Sequence, residues 1–271
     1  MSAEERLNQA FINVPILPLS KDSKYVLFSD CHRGDGFSND NFLKNQNLYL
    51  AALQSYERWG FTYLELGDGD ELWEGRSFTD IRFMHADIFQ ILSKLYNNHR
   101  LLMLYGNHDL LKKEKPFLFD FPAYSGCILK NDSSHRDIYL THGHQADFWN
   151  SVLWKVSRFL VRYIWKPLER IGFLAPLSNI QNYSKKQKIE QTLSDWAEKN
   201  HCILITGHTH RPMLNKSGVY HNTGSCVYPG GITCIEINHF QLYLVKWTFK
   251  IRLDQSLYVA RTVLSGPVQI L

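Results

Sequence analysis

Five short polar blocks of this sequence carry the side-chain types that bind metal ions. They read DCH, GD, GNHD, H and GHTH, and they lie between residues 30 and 210. The candidate ligands are Asp30, His32, Asp68, Asn107, His142, His208 and His210. Carboxylate, amide and imidazole donors suit a divalent ion such as Mn²⁺, Fe²⁺ or Zn²⁺, of which we favour Mn²⁺. The set exceeds what one ion takes, so it predicts two ions about 3.5–4 Å apart, bridged by one carboxylate.

Two ions in this arrangement favour chemistry at phosphorus. They bind phosphate oxygens, polarise phosphorus and lower the pKa of a shared water, which makes hydroxide available near neutral pH. Attack by that hydroxide leaves an oxygen that needs a proton. A histidine just outside the metal ligands is the natural donor.

An apolar run of strand length precedes each block. The runs are KYVLFSD, FTYLELGD, RLLMLYGNHD, DIYLTHGH and HCILITGHTH, and each ends in Gly or a polar turn residue. Helix-like spacing of apolar residues over 41–59 and 79–96 separates the first three runs. This alternation predicts an α/β architecture, in which ligands collect at the carboxyl ends of strands. The runs GVYHNTGSCV, ITCIEIN and FQLYLVKWTF predict a second, more antiparallel sheet.

Length and composition set the class of protein. The chain has 271 residues, enough for one large domain over 1–271, and the segment 145–200 reads as a helical insertion within it. A net charge of +4 does not indicate a nucleic-acid binder. Five scattered cysteines without CxxC spacing disfavour disulfides and zinc ribbons, which predicts a reducing, cytoplasmic setting. We see no signal sequence and no apolar run of roughly 18–20 residues that would span a membrane.

The five blocks, taken in order, resemble the calcineurin-like metallophosphoesterases. That family's pattern is Asp-x-His, Gly-Asp, Gly-Asn-His-Asp or -Glu, a lone His, and Gly-His-x-His. The resemblance implies a four-layer α-β-β-α sandwich of two mixed β-sheets flanked by helices. It assigns one ion to Asp30, His32 and His210, the other to Asn107, His142 and His208, and the bridge to Asp68. It also implies that His108 is the proton donor and that Asp109 orients it.

A narrower resemblance lies in GDGDELWEG, residues 67–75. It is similar to the Gly-Asp-x-x-Glu-x-Trp stretch of UDP-2,3-diacylglucosamine pyrophosphate hydrolases, which cut a lipid-sugar nucleotide. The run HNTGSCV at 221–227 is similar to that branch's Asn-Thr-Gly-Ser loop. This chain departs from the branch at His108, where those enzymes have Arg, and at Arg33, where they have Leu. The substrate of the branch therefore does not transfer directly.

Several residues beside the blocks allow two interpretations. In one interpretation Arg33 is a surface arginine or pairs with Asp35, and in the other it is a clamp for substrate phosphate. His144 is either a partner behind a metal ligand or a free turn residue. Glu71 either supports its loop, together with Trp73, or contacts substrate. The remaining candidate for substrate contact is Asn222 in the HNTGS run.

The segment 148–177 places an apolar stripe beside a row of Lys and Arg. One interpretation is a helix that packs on the core with its basic residues in solvent. Another is an apolar cap over the active site. A third is a helix on the membrane surface, with the basic residues against anionic headgroups.

These observations together predict a cytoplasmic two-metal phosphoesterase, with membrane association through 148–177 as an open option. We expect a phosphodiester or pyrophosphate substrate, with a lipid-linked or nucleotide-sugar compound leading. One alternative is a nuclease or cyclic-nucleotide phosphodiesterase, although the balanced charge argues against nucleic acid. Another is a non-catalytic metal-binding scaffold that docks on a membrane or a partner. No feature of the sequence predicts an oligomeric state.

Overall fold

A computed structural model describes residues 1–37, 40–73, 77–131, 136–151, 159, 179–216 and 218–270. Of the expected insertion at 145–200, residues 152–158 and 160–178 lie outside this range, and with them the greater part of the 148–177 stripe. The three interpretations of that stripe therefore remain predictions. Among the helices that are described, none is long and apolar enough to cross a membrane.

The first sheet has seven strands in the order β13-β12-β11-β2-β3-β4-β5. Its strands are β2 (Lys24–Phe28), β3 (Thr62–Leu66), β4 (Leu101–Leu104), β5 (Ala123–Tyr124), β11 (Ile232–Asn238), β12 (Gln241–Ile251) and β13 (Leu257–Gln269). Strands β2 to β5 are parallel, whereas β11 runs antiparallel to β2, so the sheet is mixed.

The second sheet has six strands in the order β1-β6-β7-β8-β10-β9. Its strands are β1 (Ile16–Leu19), β6 (Gly126–Asn131), β7 (Ile138–Thr141), β8 (Ile203–Thr206), β9 (Met213–Leu214) and β10 (Tyr220–Asn222). Strand β7 is antiparallel to β6 and parallel to β8, so this sheet is mixed as well.

Helices cover the outer faces of both sheets. The described helices are α1 (Ala3–Ala10), α2 (Gln46–Arg58), α3 (Phe78–Met84), α4 (Ala86–Asn97), α5 (Leu111–Glu114), α6 (Phe148–Ser151) and α7 (Asn179–Lys199). Short 3₁₀ turns lie at Leu43–Asn45, Pro116–Leu118 and His144–Ala146. Side chains of α2 and α4 form one apolar core with the first sheet, and α1 and α7 form another with the second. A third core lies between the sheets, which confirms the four-layer sandwich.

Alternation along β2 shows how one strand serves two cores. Val26 and Phe28 belong to the core beneath the helices, whereas Leu27 belongs to the core between the sheets. All three side chains are fully buried, as expected for a central strand covered on both faces.

Two of the three C-terminal runs, ITCIEIN and FQLYLVKWTF, lie in the first sheet and not in the expected second, more antiparallel sheet. Strand β11 pairs with β2, for example Ile235 with Leu27, and so extends the first sheet. The reason is that β11 is buried on both faces: Cys234 faces the core under α2, and Ile235 faces the core between the sheets. The antiparallel strands β11 to β13 therefore extend the first sheet beyond β2 and do not form a sheet of their own.

Candidate metal centre

Two groups of side chains meet where the strands of both sheets end. Asp30, His32 and His210 bring one ligand atom each to within 4.8 Å of one another, and so do Asp68, His142 and His208. The predicted residues that the sequence scatters over 181 positions, from 30 to 210, are thus brought together.

Asp68 lies between the two groups. Its Oδ2 is 3.2 Å from His142 Nε2 in one group and 3.8 Å from His32 Nε2 in the other. On the far side, Asp30 Oδ1 is 3.0 Å from His210 Nε2. A carboxylate in this place can contact ions in both groups, as expected for the bridge.

The polar atoms that face the centre fit two divalent ions. His32 Nε2 and Asn107 Oδ1 are buried and make no hydrogen bond within the described part of the chain. Asp30 Oδ1 and His142 Nε2 are buried as well, and each contacts another candidate ligand, His210 and Asp68 respectively. The opposite nitrogens are occupied: His32 Nδ1 donates to Glu71 Oε2 at 2.9 Å, and His142 Nδ1 donates to the Leu66 carbonyl at 2.9 Å. Each ring therefore directs Nε2 toward the centre, the usual arrangement of a metal-binding histidine once that nitrogen has lost its proton.

The local backbone brings these side chains inward at a conformational cost. Asp30, His32 and Asp68 have φ of 50°, 49° and 51°, and His208 and His210 have 66° and 57°. Such left-handed conformations are uncommon for residues with a Cβ, and they cluster at functional sites. A Cβ at Gly106 would overlap the Asp68 carboxylate, which explains the glycine there.

The carboxylates and histidines of the centre shift one another's pKa values. Burial acts to raise the pKa of Asp68, but His142 and His108 outweigh it and hold that pKa well below its usual range. Burial acts to lower the pKa of His32, but Glu71 and Asp68 raise it to about 10. The pKa of His142 rises to about 9 for the same reason, with Asp68 and Asp30 as its partners. The carboxylates therefore stay ionised and attract cations.

His108, the expected proton donor, is held by Glu71. Its Nδ1 is 2.8 Å from Glu71 Oε2, the same oxygen that accepts from His32. Its ring stacks on Trp73 at 4.2 Å between centroids and touches the His32 ring at 4.6 Å. Its side chain keeps 21% of its accessible surface, so the ring reaches the open side of the centre.

Asp109 does not orient His108, and that expectation is corrected. Its Oδ1 accepts from the Gly106 amide at 2.6 Å, and its Oδ2 accepts from the Gly69 amide at 3.1 Å and from Lys112 Nζ at 2.7 Å. The carboxylate thus joins the loops that carry Asp68 and Asn107. Both oxygens of Asp109 accept from these donors, and the adjacent His108 contacts Glu71, 37 residues away in the sequence.

Arg33 is neither a surface residue nor a phosphate clamp. It is fully buried, and its guanidinium forms a two-pronged pair with Glu65 at 2.8 and 2.9 Å. Its Nε donates to Asp70 Oδ1 at 2.8 Å. Because these carboxylates occupy the guanidinium inside the protein, both expectations for Arg33 are corrected, including the pair with Asp35.

The other expected substrate contacts lie behind the centre. Asn222 is fully buried; its Nδ2 donates to the Gly207 carbonyl at 2.6 Å, and its Oδ1 accepts from the Gly224 amide. Glu71 is buried between two histidines and supports them, as the loop-supporting interpretation expects. His144 is buried, its ring centroid 5.4 Å from that of His142, which matches a residue behind a ligand.

Two acidic residues of the centre were missed by sequence reasoning. Asp147 Oδ2 is 3.7 Å from His208 Nε2 and 2.8 Å from Lys185 Nζ. Glu190 on α7 accepts from Thr209 Oγ1 at 2.8 Å inside the GHTH block. Asp147 follows His142 by five residues, but no spacing rule marks it, and Glu190 reads as one charge on a polar helix.

Comparison with known proteins adds a family match. The family model for calcineurin-like phosphoesterases matches residues 23–224, a stretch that contains all five blocks. A search of curated proteins found no match.

Two solved structures are similar at low sequence identity. One is a conserved uncharacterized protein from Streptococcus pneumoniae, a predicted phosphoesterase, at 14% identity and a TM-score of 0.40; the match covers 90% of this chain and 99% of that one. The other is Chaetomium thermophilum Vps29, at 12% identity and a TM-score of 0.46; the match covers 93% of this chain and 100% of that one.

Proposed function

Because the chain belongs to the calcineurin-like phosphoesterase family, we propose that it hydrolyses a phosphodiester or pyrophosphate bond with the help of two divalent ions. The observation that carries the proposal is the position of Asp68 between two groups of ligand atoms. The buried atoms without hydrogen bonds on His32 and Asn107 support it, because ions would give them partners.

The ions, when bound, supply the charge that polarises the phosphoryl group and activates a water for attack. The protein supplies the proton for the leaving oxygen. Burial acts to lower the pKa of His108, but Glu71 and Asp68 outweigh it and raise that pKa, which favours the protonated ring. With Nδ1 held by Glu71, the Nε2 proton is the one that His108 gives to the leaving group.

For the substrate we propose a lipid-linked or nucleotide-sugar compound, and for the ions Mn²⁺. The Glu71 and Trp73 positions support this class through the similarity of GDGDELWEG to the UDP-2,3-diacylglucosamine hydrolases. His108 and Arg33 differ from that branch, so the proposal is for the class and not for its particular lipid. A cytoplasmic location, with peripheral membrane contact through 148–177, belongs to the same proposal.

Turnover of two diaryl phosphates tests the activity. Bis(4-nitrophenyl) phosphate releases a stable anion, whereas diphenyl phosphate of similar shape releases a more basic one that needs a proton. We expect Mn²⁺-dependent hydrolysis of both. Absence of turnover with every divalent ion tried would refute the enzyme and favour a metal-binding scaffold.

A matched pair of variants tests the role of His108. His108→Asn should lower kcat on diphenyl phosphate by about 10²–10⁴-fold, with a smaller loss on the nitrophenyl diester. His99→Asn, at an exposed position, should change neither. Two ions should remain bound in both variants. A loss of metal in His108→Asn would instead identify His108 as a ligand.

A further inference from the structure

Trp73 covers one face of the His108 ring. The two ring centroids are 4.2 Å apart and the planes differ by 20°, which is a stacked contact. Trp73 is only 4% exposed, so water does not compete for this face. Trp73 is not one of the candidate metal ligands around Asp68.

The other contacts of His108 leave its ring incompletely fixed. Glu71 holds one atom, Nδ1, with its two carboxylate oxygens at 3.0 and 2.8 Å, and contacts at one atom allow the ring to tilt about that point. The His32 ring meets His108 nearly at right angles, at 82°, and limits only one direction of tilt. The flat indole is the contact that restrains the plane of the imidazole, because a tilt in either sense would break the stacking.

Trp73 is itself firmly placed. Its backbone amide donates to Glu71 Oε1 at 3.1 Å, and the Glu71 amide donates to the Arg33 carbonyl at 2.9 Å. Arg33 is in turn fixed by its buried pairs with Glu65 and Asp70. The stacked indole is therefore connected through two residues to a buried charge cluster.

We propose that Trp73 is a positioning residue that orients His108 for proton transfer to a basic leaving group. The inference rests on the proposed function, in which His108 is the acid. As the oxygen of a water bonds to phosphorus and loses a proton to solvent, the bond from phosphorus to the leaving oxygen breaks, and its electron pair stays on that oxygen. The Nε2 proton moves to that oxygen, and the imidazole is left neutral. A tilted ring would misplace this proton. The step would then be slower for substrates with a basic leaving oxygen, which must be protonated, than for substrates that release a stable anion.

The test compares Trp73→Leu, Trp73→Phe and the distant Trp59→Leu on the two diaryl phosphates. Leu removes the aromatic face and Phe keeps it, while Trp59 lies on the helix side of the molecule beside Trp247. In Trp73→Leu, kcat/KM on diphenyl phosphate should fall at least about tenfold further than on the nitrophenyl diester, a fraction of the full effect of a general acid. Trp73→Phe should stay within about threefold of the original ratio, since a stacked ring remains.

An equal loss on both substrates in Trp73→Leu would overturn the inference, and so would a ratio shift in Trp59→Leu of the same size. Trp73→Phe behaving like Trp73→Leu would also overturn it, because the stacked face would then not matter. If the original protein hydrolyses neither diester, the proposed function fails on its own.

A second measurement stands apart from turnover. In ¹⁵N-histidine NMR of the metal-free protein, we expect a sharp His108 Nδ1–H signal in the original protein and in Trp73→Phe. That signal should broaden or disappear in Trp73→Leu. An unchanged signal in Trp73→Leu would overturn the positioning role whatever the activity.

Discussion

The guanidinium of Arg33 is buried together with all the carboxylates it contacts. Glu65 and Asp70 are fully or almost fully buried, and Lys112 adds a second cation 2.8 Å from Asp70. Removing one partner from such a cluster leaves a charge without compensation in a medium of low dielectric constant. Arg33 therefore belongs to the support of the centre, beneath the loop that carries Glu71.

We expect Arg33→Met to lower the free energy of unfolding by about 3–5 kcal/mol, because Glu65 and Asp70 lose a buried partner. Urea unfolding of the metal-free protein measures this. The control Arg58→Met replaces an exposed arginine at the end of α2 and should stay within about 0.5 kcal/mol. If Arg33→Met leaves stability unchanged but raises KM, the interpretation of Arg33 as a phosphate clamp would be supported instead.

Sequence alone identified the candidate ligands because their side-chain types are restrictive and each follows a strand. It did not identify the partner of His108. Asp109 is adjacent in sequence, but its carboxylate accepts from the amides of Gly106 and Gly69, whereas Glu71 lies across the centre. Which of two nearby carboxylates a ring meets depends on backbone direction, and no residue spacing encodes that direction.

At the scale of elements, the loops after β2, β3 and β8 hold ligands in the left-handed region. For a residue with a Cβ this conformation costs roughly 1–2 kcal/mol, whereas glycine adopts it freely. His208, with φ of 66°, offers a clear case because its backbone amide also donates to Asp30 Oδ2 at 2.9 Å. The left-handed backbone of His208 thus lowers the stability of the loop and directs the imidazole toward the centre.

We predict that His208→Gly is more stable than His208→Ala by about 1–2 kcal/mol, because both lose the imidazole but only glycine removes the strain. Thermal unfolding of the metal-free variants compares them. At His85, whose φ is −109°, the Ala variant should be at least as stable as the Gly variant. Equal stability of the two His208 variants would show that the loop is not strained.

The break between α3 and α4 shows why the helices were only partly predictable. The pattern over 79–96 indicates one helical segment, but the chain forms α3 and α4 with a break at His85. His85 is fully buried, its Nε2 3.0 Å from Asp40 Oδ2 and 3.1 Å from the Gly34 carbonyl. A tertiary contact with the loop after Asp30 therefore interrupts a helix that periodicity would continue.

At the scale of the molecule, the centre joins the two sheets. Asp30 and Asp68 follow strands of the first sheet, and His142 and His208 follow strands of the second. Hydrogen bonds also join the two sheets at this edge: His142 Nδ1 donates to the Leu66 carbonyl, and the His208 amide donates to Asp30 Oδ2. Alternation of strand and helix was enough to predict an α/β architecture, whereas the four layers were implied by the resemblance to the family. The sheet that β11 joins could not be predicted, because its apolar pattern suits any position covered on both faces.

Ions bound by both sheets should stabilise the whole sandwich. A free Mn²⁺ concentration about 100-fold above Kd adds about 2.7 kcal/mol per site if the unfolded chain does not bind. For a chain of this size we expect Tm to rise by about 5–10 °C relative to protein in chelator. Asp68→Asn should lose most of this rise, because it removes the shared carboxylate. His99→Asn, far from the centre, should keep it.

The rise in Tm should also depend on pH. Burial acts to lower the pKa values of His32 and His142, but the surrounding carboxylates raise them to about 10 and about 9. At pH 6 to 8 an ion must therefore displace protons from both rings, and each displaced proton makes apparent affinity about tenfold stronger per unit of rising pH. Scanning calorimetry with and without Mn²⁺ should show a larger rise at pH 8 than at pH 6. A rise independent of pH, or one kept by Asp68→Asn, would place the ions elsewhere on the molecule.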